Sequence, residues 1–376
     1  MGGGQSTDSE KEENKHIIFQ NDDDSFIYTT IQILYNLKDF KNYIATIEFP
    51  ENSPKKLEIL LKRIFNKDED KINLEKYSKK IYKLITKTYN LEVIDSPGKI
   101  LTQIIEILNF EENNNKVNIW EETVSQNNQL FMNTLNQNQA LNDFLNIYKK
   151  EFNNKINEFF HGTLLKRRKL QNMNNIMYFF SYYSVYELNL SYLYISLTSK
   201  GKNTKNTRTN KDEISLFDCI SDMKTPKNDI FNNQPSLVEY HMFNSPHYLI
   251  FLLNREYENY NKYFGDLIFP KEDDFSQMLV MKDKNNHYKL VSIIREKKYM
   301  VKVQKKTENT DENYEWYEED DNKNKNDKIT NKYMAIYRGE DDKFYNYNKE
   351  NKKNQINLDE KDDDYYDYIL VYEKMS

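Results

Sequence analysis

The chain is short of the residues that stapled or thiol-based proteins depend on. It has one cysteine, Cys219, and five histidines, His16, His161, His241, His247 and His287, among 376 residues. A single thiol excludes a disulfide framework and a cysteine-rich zinc site, and leaves little for thiol–imidazole catalysis. Glycine is scarce too: eight residues, three of them at positions 2–4, make no Gly-rich phosphate loop. Positive charge is not in excess. Lys and Arg number 54 against 60 Asp and Glu, so the net charge of −6 gives no electrostatic reason to expect nucleic acid. A charge-free membrane span is also missing. The candidate stretch, 177–197, contains Glu187 and Asn189 and alternates around Leu188, Leu190 and Tyr192 like a strand. No secretory signal is read at the N-terminus.

What is abundant is aromatic: 30 Tyr and 21 Phe supply core material despite a mean hydropathy of −0.93. Global disorder is therefore not expected, and the Asn, Lys and Asp residues mark solvated loops. Residues 1–6, Met-Gly-Gly-Gly-Gln-Ser, fit the N-myristoylation pattern with Gly2 as acceptor, at the head of a polar tail over 1–16. The acidic residues that follow (Asp8, Glu10, Glu12, Glu13) add no polybasic support, so any membrane association through Gly2 is weak.

The apolar period divides the chain. From Ser25 to about Phe110 it is helical, with Ile27, Ile31, Leu34 and Leu37 on one stripe and Ile100, Ile104, Ile105 and Leu108 on another. Pro97-Gly98 starts the second of these helices, residues 113–139 read partly as loop, and a further helix runs near 140–160. Beyond Gly162 the period becomes two, with strands expected near 178–186, 188–197, 248–253, 288–294, 299–304, 333–337, 344–347 and 368–372. Hydrophilic insertions are read at 199–213, 307–330 and 348–364. Helices followed by antiparallel strands indicate an α+β fold.

Residues 17–34, 96–108, 156–164, 215–220, 246–255, 268–270, 288–294, 331–338, 344–348 and 368–373, in that order, resemble motifs of the ubiquitin-specific protease family (ubiquitin carboxyl-terminal hydrolases). Residues 17–34, Ile-Ile-Phe-Gln-Asn-Asp-Asp-Asp-Ser-Phe-Ile-Tyr-Thr-Thr-Ile-Gln-Ile-Leu, parallel its cysteine box. Residues 96–108 parallel the helix that follows. Ile156-Asn157-Glu158-Phe159-Phe160-His161-Gly162-Thr163-Leu164 is similar to the entry into its fingers, and Ser215-Leu216-Phe217-Asp218-Cys219-Ile220 to its Ser-Leu-x-x-Cys-Leu helix. Pro246–Arg255, Ile268-Phe269-Pro270 and Tyr288–Ile294 match later strands. Asn331-Lys332-Tyr333-Met334-Ala335-Ile336-Tyr337-Arg338 fits the histidine box, followed by Phe344–Asn348 and Tyr368–Glu373.

The resemblance implies a papain-like α+β fold over 17–376, with a helical thumb (17–155), fingers (156–247) and a β palm (248–376). It implies cleavage of isopeptide bonds behind ubiquitin by Cys and His with an orienting Asp or Asn. In this chain those positions hold Ser25, Lys332 and Asn348, with Gln20 at the oxyanion position. A rival register puts Lys298 in place of Lys332. Only Asn348 keeps a permitted identity. A Ser–Lys dyad needs lysine's pKa lowered by roughly three units, and Asp22, Asp23 and Asp24 oppose that. The paired cysteines that would hold a structural zinc are missing around Leu170-Gln171-Asn172-Met173, so no zinc and no cofactor are expected.

The basic run Lys166-Arg167-Arg168-Lys169 reads as a solvated turn, the acidic runs as solvated loops, and His241 and His247 as isolated. The expectation is an inactive member serving as a protein-interaction or scaffold module, with ubiquitin among its candidate partners. It is expected to be cytoplasmic, at a membrane or in a large assembly. The alternative is an active deubiquitinating hydrolase.

Overall fold

The structure is a computed structural model. It describes residues 17–18, 25–66, 72–89, 91, 96–113, 135–152, 154–171, 176–190, 193, 214–257, 261–262, 267–273, 275, 287–297, 301–302, 316–317, 333–347, 353–360 and 365–375. The expected tail over 1–16 and the insertion over 199–213 lie outside these residues.

Ser25–Asn36 (α1) buries Phe26, Ile27, Tyr28, Ile31, Ile33, Leu34 and Tyr35, and Thr29, Thr30 and Gln32 with them, leaving no exposed face from Phe26 to Tyr35, so it occupies the core. Around it stand Lys38–Thr46 (α2), Lys56–Phe65 (α3), Leu74–Lys83 (α4) and Pro97–Glu112 (α5). The proline takes the first position of α5, where its missing N–H costs nothing. Burying Ile27, Ile31 and Leu34 completely contributes roughly 1.5–3 kcal/mol each.

The helix expected over 140–160 is two helices, Gln137–Phe152 (α6) and Lys155–Phe160 (α7). Asn154 separates them: its backbone is extended and its Oδ1 accepts the Asn157 N–H at 3.0 Å, which starts a new helix. The strands follow as Gly162–Leu170 (β1), Ile176–Tyr183 (β2), Tyr186–Asn189 (β3), Lys227–Phe231 (β4), Gln234–Asn244 (β5), Tyr248–Asn254 (β6), Tyr288–Lys297 (β7), Tyr333–Arg338 (β8), Phe344–Tyr347 (β9), Lys353–Ile356 (β10) and Tyr365–Lys374 (β11). Leu216–Lys224 (α8) lies between β3 and β4, started by a Ser215–Asp218 capping box.

The strands form two main sheets. The larger runs β10-β9-β8-β7-β11-β6-β3, with Glu272–Asp273 beside β7. The smaller runs β2-β1-β5-β4. One face of the large sheet (Tyr248, Ile250, Ile294, Ile369, Val371) closes on α1, α3 and α5. The other (Leu249, Phe251, Leu290, Ile293, Leu370, Tyr372) covers Leu216, Cys219 and Phe275. The small sheet packs Leu165, Phe180, Tyr182 and Phe243 on Ala140 and Phe144 of α6. Among the described residues no helix is long and apolar enough to cross a membrane.

Four strand expectations change. The strand read over 178–186 ends at Tyr183 and resumes at Tyr186, and within 188–197 only Leu188 and Asn189 are described as strand. β3 pairs with β6 in parallel, the exception in an otherwise antiparallel sheet. The stretch 348–364, read as an insertion, contains β10, whose ladder to β9 needs backbone groups and no apolar alternation. Of 299–304 only Val301–Lys302 is described as strand, paired with Trp316–Tyr317 inside the 307–330 insertion.

Gly162 opens β1 where the buried ring of Tyr183 crosses it. A Cβ at that position would overlap the Cζ and Oη atoms of Tyr183, whose hydroxyl donates to the Asn244 carbonyl at 3.2 Å. Gly162→Ala is therefore expected to cost about 2 kcal/mol. Urea unfolding would show a lower midpoint at unchanged slope, and an unchanged midpoint would remove the close-approach argument.

Candidate functional site

Ser25 is the first residue of α1. Gly2, Gln20, Lys298, Lys332 and Asn348 lie outside the described residues, and so do Asp22, Asp23 and Asp24. Chain neighbours of Lys298, Lys332 and Asn348 are among the described residues. Tyr333, next to Lys332, opens β8; Tyr347, next to Asn348, closes the antiparallel partner strand β9. Both therefore mark the same end of one hairpin. Lys297, next to Lys298, closes β7, and Glu296 is in register with Tyr333. The two rival lysine positions thus adjoin the same end of two paired strands.

A continuous line of contacts joins that end to α1. Tyr333 faces Tyr368 of β11 at 5.8 Å between rings, and the Tyr368 hydroxyl meets Ser96 Oγ at 2.7 Å. Pro97, next in the chain, accepts from Thr30 Oγ1 at 3.4 Å, one turn into α1. On the same strand end, Tyr366 donates to the buried Glu296 Oε2 at 2.5 Å, and burial with that carboxylate holds the phenol protonated. Arg295 pairs with Asp367 at 2.8 Å, and Arg255 donates to the Asp367 carbonyl at 3.1 Å while covering the Tyr366 ring. This Arg–Asp–Glu–Tyr network has no counterpart in the sequence reading. Its only signal was charged residues, Arg295 and Glu296, ending an apolar strand.

The chain's other reactive groups are elsewhere. Cys219 is buried beneath the large sheet, and burial pushes its thiol up to about 12. A thiol that stays protonated at neutral pH is no nucleophile. His161 stacks on Tyr182 with ring centres 4.6 Å apart, and burial drives its imidazole down to about 3. It carries no charge at neutral pH.

His247 is not isolated. Its Nε2 lies 3.2 Å from Asp39 and 3.6 Å from Glu373, and the three side chains offer ligand atoms within 4.8 Å of one another. One imidazole with two carboxylates is a donor set that a divalent ion accepts. Tyr248 is part of the same junction. Its hydroxyl donates to Glu373 at 3.1 Å and accepts from the backbone N–H groups of Asp39 and Phe40 at 3.1 and 3.4 Å. It thereby caps α2, whose N-cap residue, Leu37, has no side-chain cap. His241 likewise has a partner, Glu239, at 3.1 Å.

The basic run 166–169 is not a turn but the middle of β1. Arg168 is buried, paired with Asp229 of β4 and stacked 4.3 Å over Phe231; Arg167 pairs with Glu239 of β5. Leu170, Met177, Phe179 and Phe231 form a small apolar cluster at the far end of this sheet, near where the resemblance places the paired cysteines.

No protein-family model and no curated protein matches the sequence. Solved structures do match. One is a chain of the yeast SAGA DUBm, the deubiquitinase module, solved with a mutant Sgf73. It superposes with a TM-score of 0.57 at 14% identity over 94% of this chain and 66% of that one. The chain thus spans just under two thirds of that neighbour's length. The likeness defines the fold: α+β, of the papain-like ubiquitin-specific protease type.

Proposed function

We propose that this chain is a protein-interaction or scaffold module built on a ubiquitin-specific protease fold, without hydrolase activity. The reading rests chiefly on its one thiol. Cys219 is buried on the far side of the large sheet from α1, while the residue that opens α1 is Ser25. A serine hydroxyl needs a nearby base to attack a carbonyl, and the positions that would supply one, Lys332 or Lys298, hold lysine. Interaction through the fold's surfaces needs no triad. The yeast neighbour occurs in a module together with Sgf73, which makes a protein partner the natural expectation.

Incubation with a fluorogenic ubiquitin substrate is expected to give no turnover above buffer, from the native chain or from Ser25→Ala. Turnover that disappears in Ser25→Ala would overturn the reading and establish the hydrolase. Calorimetry with mono-ubiquitin then separates two kinds of module: heat identifies ubiquitin as a partner, and its absence at high micromolar concentration assigns the surfaces to other proteins.

A further inference from the structure

We infer that the pocket between α3 and α4 is a binding site for a small polyphosphorylated group. It has a volume of about 460 Å³ and is lined by Lys56, Ile59, Leu60 and Arg63 from one side and Lys80, Lys83, Leu84, Lys87 and Thr88 from the other. The spacing carries the argument. Each set recurs at three- and four-residue steps, so each is a single stripe on a helical surface. Two facing helices ordinarily close such stripes with apolar side chains. Here only Ile59, Leu60 and Leu84 are apolar, and five cations stand around them with no carboxylate in the lining.

None of the five forms an ion pair among the described residues; Lys80 only covers the Tyr77 ring at 5.6 Å. Like charges four residues apart, as in Lys83 and Lys87, oppose each other and weaken their own helix. In a chain whose net charge is −6, five cations around one cavity, with no carboxylate in its lining, are a local reversal of sign. An anion of high charge density relieves that repulsion, because lysine ammonium groups act as point charges toward phosphate.

The backbone supplies an independent indication. α4 runs directly into a π-helical turn, Leu84–Thr88, in which the Tyr89 N–H reaches the Leu84 carbonyl at 3.0 Å. Such widened turns are rare and concentrate at functional sites. This one carries Leu84, Lys87 and Thr88 into the lining, and Thr88 adds a hydroxyl. The volume suits a single compact ligand rather than an extended chain. The apolar floor suits the face of a ring that carries the phosphates. A soluble inositol polyphosphate and a phosphoinositide headgroup share this chemistry.

Calorimetry with inositol hexakisphosphate, and sedimentation with phosphatidylcholine vesicles with or without phosphatidylinositol bisphosphate, tests the site. Binding of the soluble probe, weakening as salt is raised, is expected. Lys83→Glu/Lys87→Glu should weaken it about a hundredfold, Lys83→Gln/Lys87→Gln by less, and Lys271→Glu/Lys343→Glu, with the same charge change elsewhere, little. Unchanged melting temperatures would show that all three variants fold. Recovery on bisphosphate vesicles but not on plain ones assigns the ligand to a lipid headgroup, and soluble binding without such recovery to a free phosphate. No binding in either assay, or equal losses from the two charge-reversed pairs, overturns the site.

Discussion

Replacing Glu106 by glutamine is expected to stabilise the protein at pH 8 by on the order of 4 kcal/mol, and by less than about 1 kcal/mol at pH 5. Glu106 sits in the α5 run Ile104-Ile105-Glu106-Ile107-Leu108, and burial raises its carboxyl from 4.5 to about 8 against the pull of a Ser184 hydrogen bond. The folded chain thus keeps a proton that the unfolded chain releases near pH 4.5. Its contribution is full below that value and is lost as the pH rises toward 8. His161, with Nε2 3.8 Å away, is the opposite case. Burial lowers it from 6.5 to about 3, so its contribution is present above 6.5 and lost as the pH falls toward 3. At neutral pH the two form a carboxylic acid beside a neutral imidazole; their proximity is not an ion pair. Their slopes cancel between about 4.5 and 6.5, leaving a decline in stability above 6.5. The amide keeps the shape of the side chain and removes the Glu106 share of that decline. Glu58, also raised to about 8 by burial, keeps a comparable share of its own. Thermal melts of both proteins from pH 5 to pH 8 decide it: parallel curves would show that Glu106 is ionised in the folded chain.

Local patterning made much of this fold legible. The stripes of Ile27, Ile31 and Leu34, and of Ile100, Ile104 and Leu108, are helices, and 344–347 is the strand that alternation indicated. Long-range pairing hid the rest. The run 166–169 looks solvated because its neutralising partners, Asp229 and Glu239, lie more than 60 residues away. His247 looks isolated for the same reason, since Asp39 and Glu373 come from opposite ends of the chain. β10 is an edge strand held by its backbone, so its side chains carried no periodic signal. At the candidate site, the sequence placed Ser25 at a helix start and Lys332 and Asn348 beside strands. The network of Arg295, Asp367, Glu296 and Tyr366 was legible only once β7 and β11 were paired. Helix caps behave alike: Leu37 and Lys55 are not capping residues, and distant side chains, Tyr248 and Glu111, do the capping.

The second cap leads to the other large effect. Glu111→Gln is expected to destabilise the protein by on the order of 3 kcal/mol, and Glu111→Ala by more. The two carboxylate oxygens of Glu111, in the last turn of α5, accept the N–H groups of Leu57 and Glu58 at 2.7 and 2.9 Å, and the Tyr89 hydroxyl donates to it as well. Those N–H groups belong to the first turn of α3, where partial positive charge collects and a carboxylate is favoured. All three residues are buried, so water cannot replace the missing acceptor. Besides the Tyr89 hydroxyl, the two backbone donors would share glutamine's one acceptor oxygen, and its amide turns further N–H groups toward one of them. Alanine leaves both unpaired, at about 1–3 kcal/mol each. If capping is the cause, Lys55→Ser in the Glu111→Ala background supplies a local acceptor and should recover about 1 kcal/mol. If Glu111 acts only by filling space between α3 and α5, Lys55→Ser will recover nothing, and the double variant will unfold at the same denaturant concentration as the single one. The same experiment bears on the cationic pocket, because α3 supplies one of its walls and Glu111 fixes where that wall begins.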